Sequence, residues 1–249
     1  MASFLDNIPK ITRSILIICV IVFLGSLIGD LSGRGDILSD YLALFFPASE
    51  NFRWWQPVTY MFVHGNFTHI FFNMWAFVLF GSVLEQELGP KRYLTLFLVC
   101  GIGAAAIHLG VEYLQYKQSF AELSARFSGN TPEEINDVIL KWNMVDFDGF
   151  GLKDNPYYIP PTVGASGAIY GIMLAFAMTW PDARLMLLIP PVSLKAKWMA
   201  LIFVAIELIT GIFFTSDGVA HFAHLGGMLF AFILMIWWRR RGVLRRYYY

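Results

Sequence analysis

The sequence predicts an all-α integral membrane protein: a bundle of six transmembrane helices with an enlarged external loop between helices 3 and 4. Three observations carry that prediction. Of 249 residues, 57% are hydrophobic and 14% charged, against about 45–50% and about 25% in a soluble domain. Uncharged apolar runs recur at lengths near the roughly 20 residues that a spanning helix requires. Lysine and arginine gather in alternate connections between those runs.

The spans fall at about 14–30, 67–84, 93–111, 162–180, 198–216 and 218–238, in one domain covering 1–249. The uncharged run 54–84 holds 31 residues, too many for one helix and too few for two. Its first part is therefore a non-spanning segment broken at Gly65-Asn66, with Asn66 or Thr68 capping the helix that follows. Trp54, Trp55 and Tyr60 suit a membrane interface. The stretch 184–197, with Pro190-Pro191 inside it, reads as a surface loop. Cys19 and Cys100 lie in apolar runs and read as buried thiols, not a disulfide or metal pair. The first run lacks a clear small-residue cleavage site, so it reads as a span and not a signal peptide.

Six spans put both termini on one side. That side collects Lys10, Arg13, Lys91, Arg92, Arg184, Lys195, Lys197, Arg239, Arg240, Arg241, Arg245 and Arg246, twelve of the eighteen basic residues. The excess of basic residues places both termini in the cytoplasm. The expected location is the plasma membrane, the inner membrane in a Gram-negative cell. The loop at about 112–161 is then external. Within it, Thr131-Pro132-Glu133-Glu134 combines an N-cap, proline at the first helical position and Glu three residues after the cap. This predicts a short helix over 132–142, and 115–127 is a candidate for a second.

Polar groups inside membrane helices are functional candidates. Ser166 is expected about four residues into the fourth span and His224 about six into the sixth. At about 1.5 Å per residue, both lie some 6–9 Å below the outer boundary. His69 and Asn73 are four apart, share a helix face and span the same layer. A serine hydroxyl is a weak nucleophile that needs an adjacent base, and a neutral His224 can take its proton and return it to a leaving amine. The Asn73 amide, the His69 ring N–H and the Ser166 backbone N–H can stabilise the oxyanion. Gly164, Gly167 and Gly171 on helix 4, and Gly226 and Gly227 on helix 6, allow the close approach that short Ser and His side chains require.

These segments resemble the rhomboid family of intramembrane serine proteases, which share a six-helix core. Gly164-Ala165-Ser166-Gly167 is similar to the family's GxSG nucleophile motif, and His224 with Gly227 to its catalytic His and following Gly. His69 and Asn73 resemble its oxyanion residues, His64 the His that precedes them, and Tyr170 the aromatic that stacks on the catalytic His. The resemblance runs from about Trp55 to Ala231. It implies a serine endopeptidase with a Ser-His dyad, acting on transmembrane protein substrates in the bilayer without cofactor, metal or nucleic acid. Two positions depart from the pattern: Trp55-Gln56 where the family often has Trp-Arg, and Ala231 where it has a later glycine.

Other polar residues have plainer readings. Glu207, where a charge is costly, reads as protonated or paired in a structural bond. His64 reads as structural, Asp217 as a cap for helix 6, and His221 as a loop or cap residue. The soluble-hydrolase motif G-x-S-x-G fails because Ala168 occupies its fifth position. Helix 5 is the expected gate for substrate, since its bulky start, 198–203, lacks the glycines that lock helices 4 and 6. Two other functions compete. An inactive relative that binds membrane proteins should lack the Ser or the His. A transporter should carry paired charges and broken helices in both halves.

Overall fold

The longest helix packs against most of the others, and the shorter helix that begins at Ser166 is buried along most of its length. The computed structural model describes residues 4–33, 37–141, 157–186, 192–213 and 219–244. In chain order the elements are α1 (Lys10–Leu31), α2 (Ile37–Leu42), α3 (Gln56–Thr59), a 3-10 turn (Tyr60–Phe62), α4 (Phe67–Leu88), α5 (Pro90–Arg126) and α6 (Pro132–Leu140). They continue with α7 (Ser166–Thr179), β1 (Arg184–Met186), β2 (Ser193–Lys195), α8 (Ala196–Phe213) and α9 (His221–Arg240). Five helices, α1, α4, α5, α8 and α9, are long and apolar enough to cross a membrane.

Helix boundaries follow local chemistry. The Glu85 carboxylate of α4 accepts from the backbone N–H groups of Ile11 (2.8 Å) and Thr12 (2.7 Å), closing the start of α1. Asn66 caps α4 through its side-chain oxygen, which accepts from His69 N–H at 2.8 Å. Gly89 takes φ 76° at the end of α4, and Pro90 opens α5 at once.

The helix of the third span does not stop at 111, and 115–127 is not a separate helix. α5 is continuous for 37 residues. After Gly110 it meets neither glycine nor proline before Arg126, and Glu112, Leu114, Gln115, Lys117, Gln118 and Ala121 are good helix formers. At about 1.5 Å per residue it is roughly 55 Å long, so its end extends well beyond a hydrocarbon layer of about 30 Å. There α6 packs Ile135, Val138 and Ile139 against Leu123 in a second small core. α6 opens with the expected capping box between Thr131 and Glu134. It ends at Leu140, and Trp142 lies outside the described residues.

The fourth span also differs. α7 has 14 residues and begins at Ser166 itself, because Gly164 at φ 119° breaks helical continuation and Pro160 and Pro161 lack N–H donors. Upstream of Ser166 the chain is extended, with Thr162 and Leu44 exchanging backbone hydrogen bonds of 2.8 and 2.9 Å. Trp180-Pro181 ends α7, since the residue before proline avoids helical geometry. The stretch 184–197 contains an antiparallel pair, Arg184 with Lys195 and Met186 with Ser193. Pro190-Pro191 lies outside the described residues. Lys195 and Lys197 both donate to Asp182 (2.8 and 2.9 Å), and together they hold its carboxyl down at about 2.

Tyr60 faces the protein interior. It is fully buried, and its hydroxyl donates to the Gly101 carbonyl at 2.8 Å. Trp54 is exposed, and the Trp55 indole donates to the Tyr41 carbonyl at 3.0 Å. α5, α7 and α9 meet through small residues: a β-carbon on Gly103 would strike the Phe230 ring, and one on Gly226 would come within 2.9 Å of the Ile107 side chain. Cys19 and Cys100 are free and buried. α8 packs chiefly on α7 and α9. Ile28, Phe72, Ile212 and Ile233, on α1, α4, α8 and α9, are exposed, as lipid-facing residues would be.

Candidate active site

The GxSG serine is the first residue of α7, and the geometry around it comes from glycine contacts. A β-carbon on Gly167 would come within 2.6 Å of the Ala104 β-carbon and 3.3 Å of the Ala223 carbonyl. One on Gly171 would meet the Cys100 sulfur at 2.6 Å and the Gly227 carbonyl at 2.8 Å, and one on Gly227 would overlap the Gly167 carbonyl. The α7 and α9 backbones are therefore in contact. Across that contact the Ser166 Oγ and His224 Nε2 atoms are 2.8 Å apart.

Tyr170, one turn into α7, stacks on the His224 ring with centroids 4.2 Å apart and planes 6° from parallel. On the other side of Ser166, a β-carbon on Gly164 would come within 2.7 Å of His69 Nε2 and 3.8 Å of Ser166 Oγ, so that glycine lies between the two side chains. His64 sits edge-on to His69, 5.1 Å between centroids. Asn73 is buried, and its Nδ2 donates to the His69 carbonyl at 2.9 Å. The positions within the helices differ from those expected. Ser166 is the first residue of its helix and His224 the fourth, because α7 and α9 both start later than the apolar runs do. The start of α7 carries N–H groups with no partner inside the helix, which suits a developing negative charge.

Glu207 and His221 are more closely tied to the site than the sequence reading allowed. Glu207, on α8, is buried, and its Oε2 lies 2.6 Å from His221 Nδ1 and 2.9 Å from His224 Nδ1. A carboxylate inside a span was the signal that could have found it, but no local pattern names its partners. Asp217, expected as the α9 cap, lies outside the described residues, and Ala220 at the cap position makes no side-chain bond. Glu207, His221 and His224 also form the cluster that could hold a metal among the described residues, with donor atoms within 4.8 Å of one another. The 2.6 and 2.9 Å separations are hydrogen-bond and ion-pair lengths, shorter than the about 3.3 Å between tetrahedral ligands about 2.0 Å from a zinc ion. Of the bulky start of α8, Phe203 packs against Tyr170 (6.0 Å, edge-on). Trp198 lies nine residues before Glu207, about 14 Å along the helix.

The family model for the rhomboid domain matches residues 51–241. The chain belongs to the rhomboid family. It is 25% identical over 244 residues to rhomboid protease AarA of Providencia stuartii, covering 94% of this chain and 74% of that one. It is 26% identical over 189 residues to rhomboid protease GlpG of Yersinia pseudotuberculosis serotype I, covering 70% and 64%. To rhomboid-like protein 15 of Arabidopsis thaliana it is 30% identical over 133 residues, covering 50% and 32%. The rhomboid chain thus spans about three quarters of the first relative, under two thirds of the second and a third of the last. This rhomboid is an all-α membrane protein, and its departure at Gln56 is accommodated by hydrogen bonding. Gln56 Oε1 accepts from Arg53 N–H (3.0 Å) and Phe45 N–H (3.3 Å), and Nε2 donates to the Asn51 carbonyl (2.9 Å), pinning the segment before α3.

Proposed function

We propose that this rhomboid is an intramembrane serine endopeptidase that cleaves membrane-anchored proteins, with Ser166 as nucleophile and His224 as general base. The 2.8 Å separation of Ser166 Oγ and His224 Nε2 carries this reading. It places a hydroxyl within proton-transfer reach of an imidazole.

His224 Nε2 takes the Ser166 proton as Oγ attacks the peptide carbonyl. A tetrahedral intermediate forms, and His224 returns the proton to the departing amine as the C–N bond breaks. Water then enters and gives a proton to His224 as its oxygen attacks the acyl-serine carbon, and His224 returns that proton to Ser166 Oγ as the ester C–O bond breaks and the acid leaves. The oxyanion is held by the Ser166 backbone N–H, the His69 ring and the Asn73 amide, which must turn from the His69 carbonyl to reach it. Tyr170 fixes the plane of His224, His64 packs behind His69, and Gly164, Gly167 and Gly227 permit the close approach.

The basic-residue distribution favours cytoplasmic termini, which puts the opening of the site to water on the outer side; we place the protein in the plasma membrane. The substrate is a transmembrane helix entering from the bilayer, whose backbone must unwind to present a peptide bond. We assign no nucleic-acid, metal or cofactor requirement. The competing reading, an inactive relative that binds membrane proteins, would hold the same fold without turnover. The deciding experiment compares wild type with Ser166→Ala for fluorophosphonate labelling and for cleavage of a membrane-anchored substrate. Serine-dependent labelling and cleavage are expected. A wild type that neither labels nor cleaves would leave the binder.

A further inference from the structure

We propose that Glu207 is a positioning residue for His224, making the catalytic unit a Ser166–His224–Glu207 chain in which His221 holds the carboxylate. This deepens the protease reading and rests on it.

The imidazole of His224 uses both nitrogens. Nε2 faces Ser166 Oγ at 2.8 Å, and Nδ1 has Glu207 Oε2 at 2.9 Å. For Nε2 to accept the serine proton, the neutral ring must carry its hydrogen on Nδ1. A carboxylate oxygen beside Nδ1 favours that tautomer over the one with Nε2 protonated, which cannot act as a base. Once the proton transfers, the imidazolium lies against a negative charge in surroundings poor in water, where such a charge counts for much more than in bulk solvent.

The carboxylate is held as a positioning group should be. Glu207 is 4% exposed, and a buried ion is tolerable only with partners. His221 Nδ1 lies 2.6 Å from Oε2 and 3.0 Å from the Thr210 hydroxyl, one turn up α8. The Tyr170 ring, from α7, covers His224, with centroids 4.2 Å apart. Gly211 leaves room for the His221 β-carbon, 3.1 Å from where its own would stand. The groups facing His224 are thus Glu207 from α8, Tyr170 from α7, His221 from its own helix and His69 from α4. Oε2 lies off the N–H direction of His224 in the resting chain, so the pair is an ion-pair contact without full hydrogen-bond alignment. Catalytic hydrogen bonds commonly tighten only when substrate is bound.

The test uses the full chain in liposomes with a membrane-anchored fluorogenic substrate, comparing wild type, Ser166→Ala, Glu207→Gln and Glu207→Asp. Glu207→Gln should lower kcat by about 10²–10⁴-fold with KM unchanged. It should slow fluorophosphonate labelling of Ser166 by the same factor and melt like wild type. Glu207→Asp keeps the charge but shortens its reach, and should lower kcat by about 10²-fold. A folded Glu207→Gln with wild-type kcat and labelling rate overturns the assignment. Should Glu207→Gln fail to fold, Glu207→Asp decides: kcat equal to wild type, or a loss confined to KM, overturns it. If wild type cleaves no faster than Ser166→Ala, the protease reading fails and this one with it. That result differs from Ser166-dependent cleavage that ignores Glu207, which overturns only the role of Glu207.

Discussion

The carbonyl of Gly167 on α7 fills the volume that a β-carbon on Gly227 of α9 would need. Ser166 precedes the first of these residues and His224 lies one turn before the second, so the contact that fixes the two backbones also fixes the distance between hydroxyl and imidazole. In a membrane, where lipid is as apolar as the helix surfaces, close packing of this kind is a main source of helix association.

Gly227→Ala is therefore expected to act on stability and activity together. An added methyl must displace backbone, and overpacking of this sort costs about 1–3 kcal/mol. The melting temperature in detergent should fall, and cleavage should fall further than the unfolded fraction explains, because Ser166 and His224 move apart. A variant with unchanged melting and turnover would show that the helices shift apart at no cost.

Asn73 gives a separate prediction. Its amide donates to the His69 carbonyl in the resting chain, so Asn73→Ala removes one oxyanion donor without emptying the core. Losing one such donor costs roughly 10²–10³ in kcat in soluble serine proteases. We expect a loss at or below that range, with KM little changed. A rise in KM at constant kcat would make Asn73 a substrate-binding residue.

Two residues expected to act alike as a gate are separated by the structure. Phe203 packs edge-on to Tyr170 at 6.0 Å, whereas Trp198 is about half exposed at the far end of α8. Phe203→Ala should raise cleavage of membrane-embedded substrates more than of soluble ones, and Trp198→Ala should change neither. Equal effects of the two substitutions would remove α8 opening from the account.

Topology is open to direct measurement. Glu134 on α6 and Arg240 at the end of α9 are exposed, while Cys19 and Cys100 are fully buried and give little background. Cysteines replacing Glu134 and Arg240 should react with an impermeant thiol reagent from opposite faces of sealed vesicles. Reaction from one face only contradicts an odd number of crossings between them.

What the sequence alone determined about this protein was whatever depends on neighbours within about a turn. The Thr131 capping box, the Asn66 cap, the break at Gly65 and the apolar runs each follow from local hydrogen bonding or hydropathy. The GxSG segment and the two His-bearing helices were readable for the same reason, as short motifs on separate helices. Only the tertiary structure decided what those helices do to one another. It carried α5 on to Arg126, since nothing between Val111 and Arg126 breaks a helix and α6 needed Leu123 to cover its apolar face. It started α7 at Ser166, because Gly164 takes a left-handed φ of 119° that composition does not reveal. It buried Tyr60 on the Gly101 carbonyl, and it brought Glu207 to His221 and His224 from a third helix. Such pairings depend on the rotation and offset of packed helices, and residues far apart in sequence carry no local signal of either.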